Sequence, residues 1–282
     1  MLQNKELRIT IYRPGESEGR TFTGGLGKFY IEVSAQNPGA PSKGECHVTI
    51  YGVSLETIKQ YTYLVFKNNQ FDKRNQMEVF ANDSLVYKGE LVESYGDFTA
   101  FPNLSLKLKG VAGYAASQEI TPDMVITEDM NLTIEQAFRT LANNAGYAFF
   151  NQGITGTCPD IVLRGSNLTK AKQLAKTIND PKIGISIADD VITIFPAKGS
   201  IDENIVDVNP GTGMIGYPSP ISGGIKFSTL YNPQLRLGRK VNVTSIVPLM
   251  SGIWIIKGMN VNLSTRPGGD WREEVSCSVH EQ

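Results

Sequence analysis

The sequence predicts a mainly β chain with a small α/β domain inserted between two β regions. Three observations carry this. Period-2 alternation of apolar residues runs through both ends of the chain. The apolar period switches to that of a helix after Gly113. The 28 Gly and 14 Pro among 282 residues are spread throughout, which suits many short strands joined by turns. The expected bounds are 1–115 for the first β region, 116–200 for the α/β domain and 201–282 for the second β region.

In the first region Leu7, Ile9 and Ile11 alternate with Arg8, Thr10 and Tyr12. Phe29, Ile31 and Val33, then Cys46, Val48 and Ile50, repeat the period, so each strand covers a core on one side. Asn82-Asp83 marks a hairpin between MEVFA and SLVYKG, and Leu104, Leu106 and Leu108 close the set. Ser54 to Tyr61 is the one helical piece, capped by Ser54. Strands at this spacing predict a closed or nearly closed barrel.

In the middle, Ile134, Ala137, Phe138, Leu141, Ala142 and Ala145 form one helical face. Thr133 with Gln136 predicts a capping box and Gly146 ends the helix. YAFFN returns to strand. A second helix carries Ala171, Leu174, Ala175 and Ile178, with Pro181 beyond its end. Ile185 and Ile187, then Ile192 and Ile194, flank Asp189-Asp190 as a hairpin. Asn-Leu-Thr opens both helices, at 131 and 167, with Phe138 and Leu174 at equal offsets from it; an internal repeat and coincidence read equally well. From Ile201 the alternation resumes in Val241 and Val243, in Trp254 and Ile256, in Met259, Val261 and Leu263, and in Val275, Cys277 and Val279.

The formal net charge is −1, from 27 basic and 28 acidic residues, so no dedicated nucleic-acid surface is predicted. No apolar run reaches the roughly 18 residues of a membrane span. The N-terminus enters an alternating strand without the apolar core of a signal peptide, which predicts folding in a cytoplasm. Three widely spaced cysteines, Cys46, Cys158 and Cys277, argue against a disulfide framework, and the six N-x-S/T triplets are read as chance.

Motif by motif, reactivity recedes. Gly211, Gly213 and Gly216 match a dinucleotide fingerprint, but Pro218 and Pro220 forbid the helix that must follow. Gly24 to Lys28 lacks the spacing of a phosphate loop. Cys46 and His47, and likewise Cys277 and His280, point to opposite strand faces and cannot converge as zinc ligands without distortion. Asp189-Asp190 is a solvated hairpin tip and reads as a turn. No catalytic, cofactor-binding or metal residue is assigned. Gly211 to Trp271, short strands punctuated by Pro-Gly turns, lacks histidine and cysteine, and this is the stretch of a chain that supplies geometry. The candidate partner interface is the Gly-rich loop Phe22, Gly24, Gly25, Leu26 and Gly27, because apolar side chains on a loop are costly in water. Trp254 reads as core, and Trp271 is left open between core and interface.

Four stretches carry a family likeness: FYIEVSAQNPGAPSKGECHVTIYGVSLETIKQYT, the hairpin VFANDSLVYKGEL, NPGTGMIGYPSP, and the closing MSGIWIIKGMNVNLSTRPGGDW. In style and order the chain resembles the baseplate hub proteins of contractile-tailed bacteriophages, the superfamily of late control protein D and the Mu-like hubs. The resemblance implies two tail-tube-like β-barrels per chain and a ring of three subunits. Six barrels then match the sixfold tail tube on one side, and the threefold ring suits the central spike on the other. It implies as partners a second and third copy of the chain, the tail tube protein, the spike and other baseplate proteins, with DNA only in transit through a channel. It implies a place in the virion's tail baseplate, after assembly in the host bacterial cytoplasm, with spike and any wall-degrading module on separate chains. Deleting Phe22 to Gly27 is expected to weaken assembly and leave the monomer folded. Two rivals stand beside this reading. A peptidoglycan hydrolase would give clearing on a zymogram that is lost on changing one acid to Ala. Another tail-tube-related component would need only about 150 residues for its single barrel.

Overall fold

The computed structural model describes residues 5–14, 18–26, 28–37, 44–64, 75–99, 101–188, 190–197 and 199–279. In the first β region, β1 (Leu7–Tyr12) lies between β2 (Arg20–Gly24) and β6 (Gln76–Ala81). β6 turns through Asn82, in the left-handed region at φ 53°, into β7 (Ser84–Asp97). β7 pairs β8 (Ser105–Val111), β8 pairs β4 (Glu45–Tyr51), and β4 pairs β3 (Tyr30–Asn37). The alternating residues face inward as the period requires: Leu7, Ile9, Ile11, Ile31, Val33, Cys46, Val48, Ile50, Leu106 and Leu108 are all buried in one core. The helix α1 (Leu55–Tyr61) covers the end of this core with Ile58 and Tyr61, and the Ser54 hydroxyl caps it by accepting from the Thr57 N–H at 3.2 Å.

Between the β regions lies the α/β piece. α2 (Tyr114–Gln118) leads into β9 (Met124–Ile126), which pairs β11 (Ile161–Leu163). α3 (Ile134–Asn144) carries the complete Thr133–Gln136 capping box and buries Ile134, Ala137, Phe138, Leu141 and Ala142. It packs with α4 (Asn167–Thr177) over a sheet of β10 (Ala148–Asn151), β13 (Val191–Pro196) and β12 (Ile183–Ala188). β12 and β13 form the expected hairpin, Ile185 facing Ile194 and Ile187 facing Ile192. The equal offsets of the two Asn-Leu-Thr triplets are not structural. Thr133 caps α3, whereas Ser166 caps α4 and Asn167 is already its first residue.

The second β region is built from β14 (Ile205–Val208), β15 (Met214–Ile221), β16 (Gly224–Leu230), β17 (Lys240–Val243), β18 (Gly252–Ser264) and β19 (Trp271–Val279). β15, β16, β19 and β18 follow one another by antiparallel pairing, while β17 joins β18 to β14. Near the middle of β18 the ladder to β19 shifts register between Ile256 and Gly258, leaving Lys257 as an extra residue. This bulge explains why the sequence alternates on even positions at Trp254 and Ile256 and on odd ones at Met259, Val261 and Leu263.

The two β regions share one sheet. Met259 to Ser264 of β18 pair antiparallel with Asn37 to Glu32 of β3, so one sheet of fourteen strands forms; eleven of them make a path from β15 to β2, and β14, β17 and the short β5 (Tyr63–Leu64) branch from it. Val261, Leu263 and Trp271 accordingly pack in the first core, while Ile256, Val275 and Cys277 pack in the second β core. The fold is mainly β with a small α/β piece between two β regions. No closed barrel forms among the described residues of the first region, whose ladder runs from β3 through β4, β8, β7, β6 and β1 to β2. Its two ends, β2 and the residue entering β3, meet in an isolated bridge between Gly24 and Phe29, and the Tyr61 ring of α1 packs edge-on to Phe22 at 5.9 Å.

Candidate assembly surfaces

The groups that carry chemistry are dispersed. Among the described residues no three His, Cys, Asp or Glu side chains gather as a metal site. The three thiols are buried, and burial lifts Cys158 to about 11 and Cys277 to about 12 and holds Cys46 well above the usual thiol range. His47 is exposed, 3.8 Å from Glu45; His280 lies outside the described residues. Asp190 occupies a left-handed turn position at φ 60° and pairs with Lys88 at 2.8 Å, and Asp189 lies outside the described residues. The Gly211–Gly216 segment is a single 3-10 turn followed at once by β15. The Asn209 side chain accepts from the N–H groups of Gly211 and Thr212, so no helix end is offered to a phosphate.

The Gly-rich segment divides. Phe22 is not a loop residue: it sits in β2, 1% exposed, with its ring 5.9 Å from Phe29. Its reading as a partner surface is corrected, because an inward position of the strand places it in the first core. Gly24 is buried too, and a Cβ there would stand 2.8 Å from the Ile31 side chain. Removing Phe22 to Gly27 would therefore open that core, which corrects the expectation that the monomer would stay folded. Gly25, at φ 153°, and Leu26 form the turn into β3, and Leu26 is fully exposed. Gly27 lies outside the described residues. Trp271 is buried at 6%, edge-on to Tyr231 at 6.3 Å, with the Lys5 ammonium 5.8 Å from its ring centre. The side left open for Trp271 is thus the core. Trp254 is partly buried against the second β core.

Among the described residues two surfaces stand out for partners. Beside β2 an open groove of about 1280 Å³ is lined by Thr21, Thr23, Tyr30, Tyr51, Leu55 and Arg266. Arg266 is fixed there, 4.0 Å over the Tyr51 ring and 3.1 Å from Glu32. At the other end of the sheet path, β15 exposes Ile215, Tyr217 and Ile221, and the nearby β17–β18 loop exposes Ile246, Val247 and Leu249. Large apolar side chains gathered at a terminal strand mark an interaction site more strongly than singly scattered ones. This second surface carries no loop signal in the sequence. Its residues alternate or sit beside Pro248 as ordinary strand and turn residues do. β15 also holds Pro218 and Pro220, which have no N–H to give to an incoming strand.

Sequence comparison finds that the family described as Baseplate hub gp41 matches residues 29–269. The chain belongs to that family. A baseplate hub chain is a structural component of the phage tail, and its place is the virion. Similar folds are found among solved structures. The tail protein from Neisseria meningitidis MC58 aligns over 97% of this hub chain and 96% of its own, with a TM-score of 0.65 at 8% identity. The 43 kDa tail protein of prophage MuSo2 from Shewanella oneidensis aligns over the same shares, 97% and 96%, with a TM-score of 0.62 at 11% identity. The E. coli c3393 protein is described as a component of the type VI secretion system with structural similarity to T4 bacteriophage tail proteins gp27 and gp5. It aligns over 96% of the hub chain and 77% of its own, with a TM-score of 0.57 at 9% identity. At these identities the likeness is one of fold. No curated protein matches the sequence.

Proposed function

We propose that three copies of this chain form the baseplate hub ring of a contractile tail, adapting a threefold central spike to a sixfold tail tube and leaving a channel for DNA. The observation that carries this is the β3–β18 ladder, which sets two β regions side by side within one chain. Three such chains present six β regions around a ring, each region standing for one tail-tube-like barrel, which is the count a sixfold tube requires. The α/β piece adds bulk without breaking that sheet.

The ring contact is heterologous, one end of the sheet path meeting a different surface of the next copy. Pro218 and Pro220 withhold N–H groups on the terminal strand, so side-chain burial at Ile215, Tyr217 and Leu249 carries that contact more than strand pairing does. The groove beside β2 faces another member of the baseplate or the tube. A net charge of −1 suits a channel wall that must not hold passing phosphates. Assembly takes place in the host cytoplasm, with the tube protein, the spike and other baseplate proteins as partners.

The experiment is a mass measurement by sedimentation, first of the purified chain and then of its mixture with the spike protein. A species holding three 30.9 kDa chains is expected in at least the mixture, where the mass of the bound spike adds to theirs. A chain that stays monomeric in both, or closes with another number of copies, would overturn the reading.

A further inference from the structure

We propose that the cavity between α4 and β18 is a binding site for a carboxylate carried on an apolar stem, with Lys257 and Lys182 as its cationic partners. The cavity measures about 300 Å³, at the lower end of the range for small-ligand pockets. It lies where the α/β piece meets the second β region. α4, the segment 178–182, β12, β13, the segment 237–238 and β18 all contribute to its lining, and Ile178, Ile183, Phe195 and Ile256 give it apolar walls. The bulge in β18 is what brings Lys257 there. Neighbouring residues of a regular strand face opposite sides, yet Ile256 and Lys257 both line this cavity. The Lys257 ammonium stands 5.9 Å from the centre of the Phe195 ring and donates to the Ala197 carbonyl at 3.2 Å. Among the described residues that neutral oxygen is its one acceptor, which leaves further N–H groups for a ligand.

The charges on the rim select the ligand. Lys176 and Lys182 line it, are exposed, and form no ion pair among the described residues, whereas Lys28, Lys107, Lys109 and Lys226 each hold a carboxylate. Lys172 lines the cavity too but is already engaged within the chain. The last turn of α4 reaches the same rim, and its end carbonyls bring about half a negative charge. Lys176, in that turn, offsets them, so Lys182 and Lys257 remain in surplus. Burial pulls the Lys257 ammonium below the usual lysine value, and an anion beside it restores the charged form. A metal ion is repelled by these ammonium groups. Bare phosphate answers the lysines and leaves the apolar walls wet, and an uncharged apolar molecule leaves the lysines unmatched. A monocarboxylate with a short alkyl body answers both.

Two sources offer this chemistry: a free carboxylic acid of the host cell, or a carboxylate side chain of a neighbouring chain, the latter resting on the assembly proposed above. The test uses the purified full chain, so it does not depend on ring formation. Sodium hexanoate is titrated against it, with sodium acetate, inorganic phosphate and n-hexanol as controls. Saturable binding of hexanoate is expected, tighter than that of acetate by about fourfold for each methylene that enters the cavity. It should weaken by about tenfold or more in Lys257→Met, which loses a charge-assisted hydrogen bond. It should also weaken in Lys182→Glu, whose exposed position leaves the fold intact. Equal binding by either variant, an equal response to acetate, phosphate or n-hexanol, or no saturable binding would overturn the site. Extracts of purified tails then decide the source. About one such acid per hub chain assigns the free ligand. An empty extract, with carbodiimide joining Lys182 or Lys257 to a neighbouring chain, assigns the neighbour's carboxylate. The absence of both would overturn the proposal for the assembled tail.

Discussion

Val33 of β3 stands directly opposite Leu263 of β18, both buried in the same core, and this pair sits in the ladder that unites the two β regions. Leu263→Ala is expected to cost about 2–5 kcal/mol, the range for deleting a buried leucine side chain. A double-mutant cycle with Val33→Ala should return a coupling of about 0.5 kcal/mol or more. Urea denaturation of the four proteins measures it, and strictly additive losses would mean that the two side chains do not support one another.

Glu273→Gln should change how stability depends on pH. Its carboxyl is raised from 4.5 to about 8 by burial, opposed by the Asn232 N–H, so the folded chain holds a proton that the unfolded chain has already released. Wild-type stability therefore falls as pH rises from about 4.5 to about 8 and levels off above. The glutamine variant escapes this loss. Its advantage should grow by roughly 2–4 kcal/mol between pH 5 and pH 8. Parallel denaturation curves across that range would contradict the burial argument.

Lys170 is 2% exposed, and its ammonium donates to Thr121 Oγ1 at 2.6 Å, to the Thr121 carbonyl at 3.3 Å and to the Pro122 carbonyl. Three donors meeting three oxygens tie α4 to the segment that enters β9. Lys170→Met keeps the stem and strands those oxygens, at a cost of about 1–3 kcal/mol. Thermal unfolding with a probe in the α/β piece would register it, and an unchanged midpoint would show that the oxygens find water instead.

Leu249→Asp and Leu26→Asp both alter side chains that are nearly or fully exposed, so each should leave chain stability within about 0.5 kcal/mol. Tail yield, counted by electron microscopy, is the discriminating readout. A drop with Leu249→Asp places the β15 face in a contact, and a drop with Leu26→Asp places the β2–β3 turn in one. Full yield from either variant removes that surface from the assembly.

Much of the fold was legible because burial on one side imposes a period. The inward positions of β1, β3, β4 and β8, the Thr133 cap and the Ile185–Ile194 hairpin are all written in spacing. Edge-to-edge joining of β3 and β18 is not. The partners lie more than two hundred residues apart, and both strands alternate as any strand would. The assembly surface was misread at Phe22 because a Thr-Phe-Thr-Gly-Gly run reads as loop, although two further residues of pairing with β1 make it strand. Leu249 escaped notice because exposure in a turn beside proline leaves no periodic mark. Glu273 falls in phase with Trp271, Val275 and Cys277 on the buried face of β19, so its burial follows the strand's period and only its charge argues against an inward place.

Gly252–Ser264 donates its first half to one core and its second half to another. Neither half of the molecule can then melt while the other persists, since loss of either ladder strips a wall from its neighbour. Heating should reveal one calorimetric peak for both β regions, and a hub built this way passes from intact to useless in a single step instead of loosening by degrees.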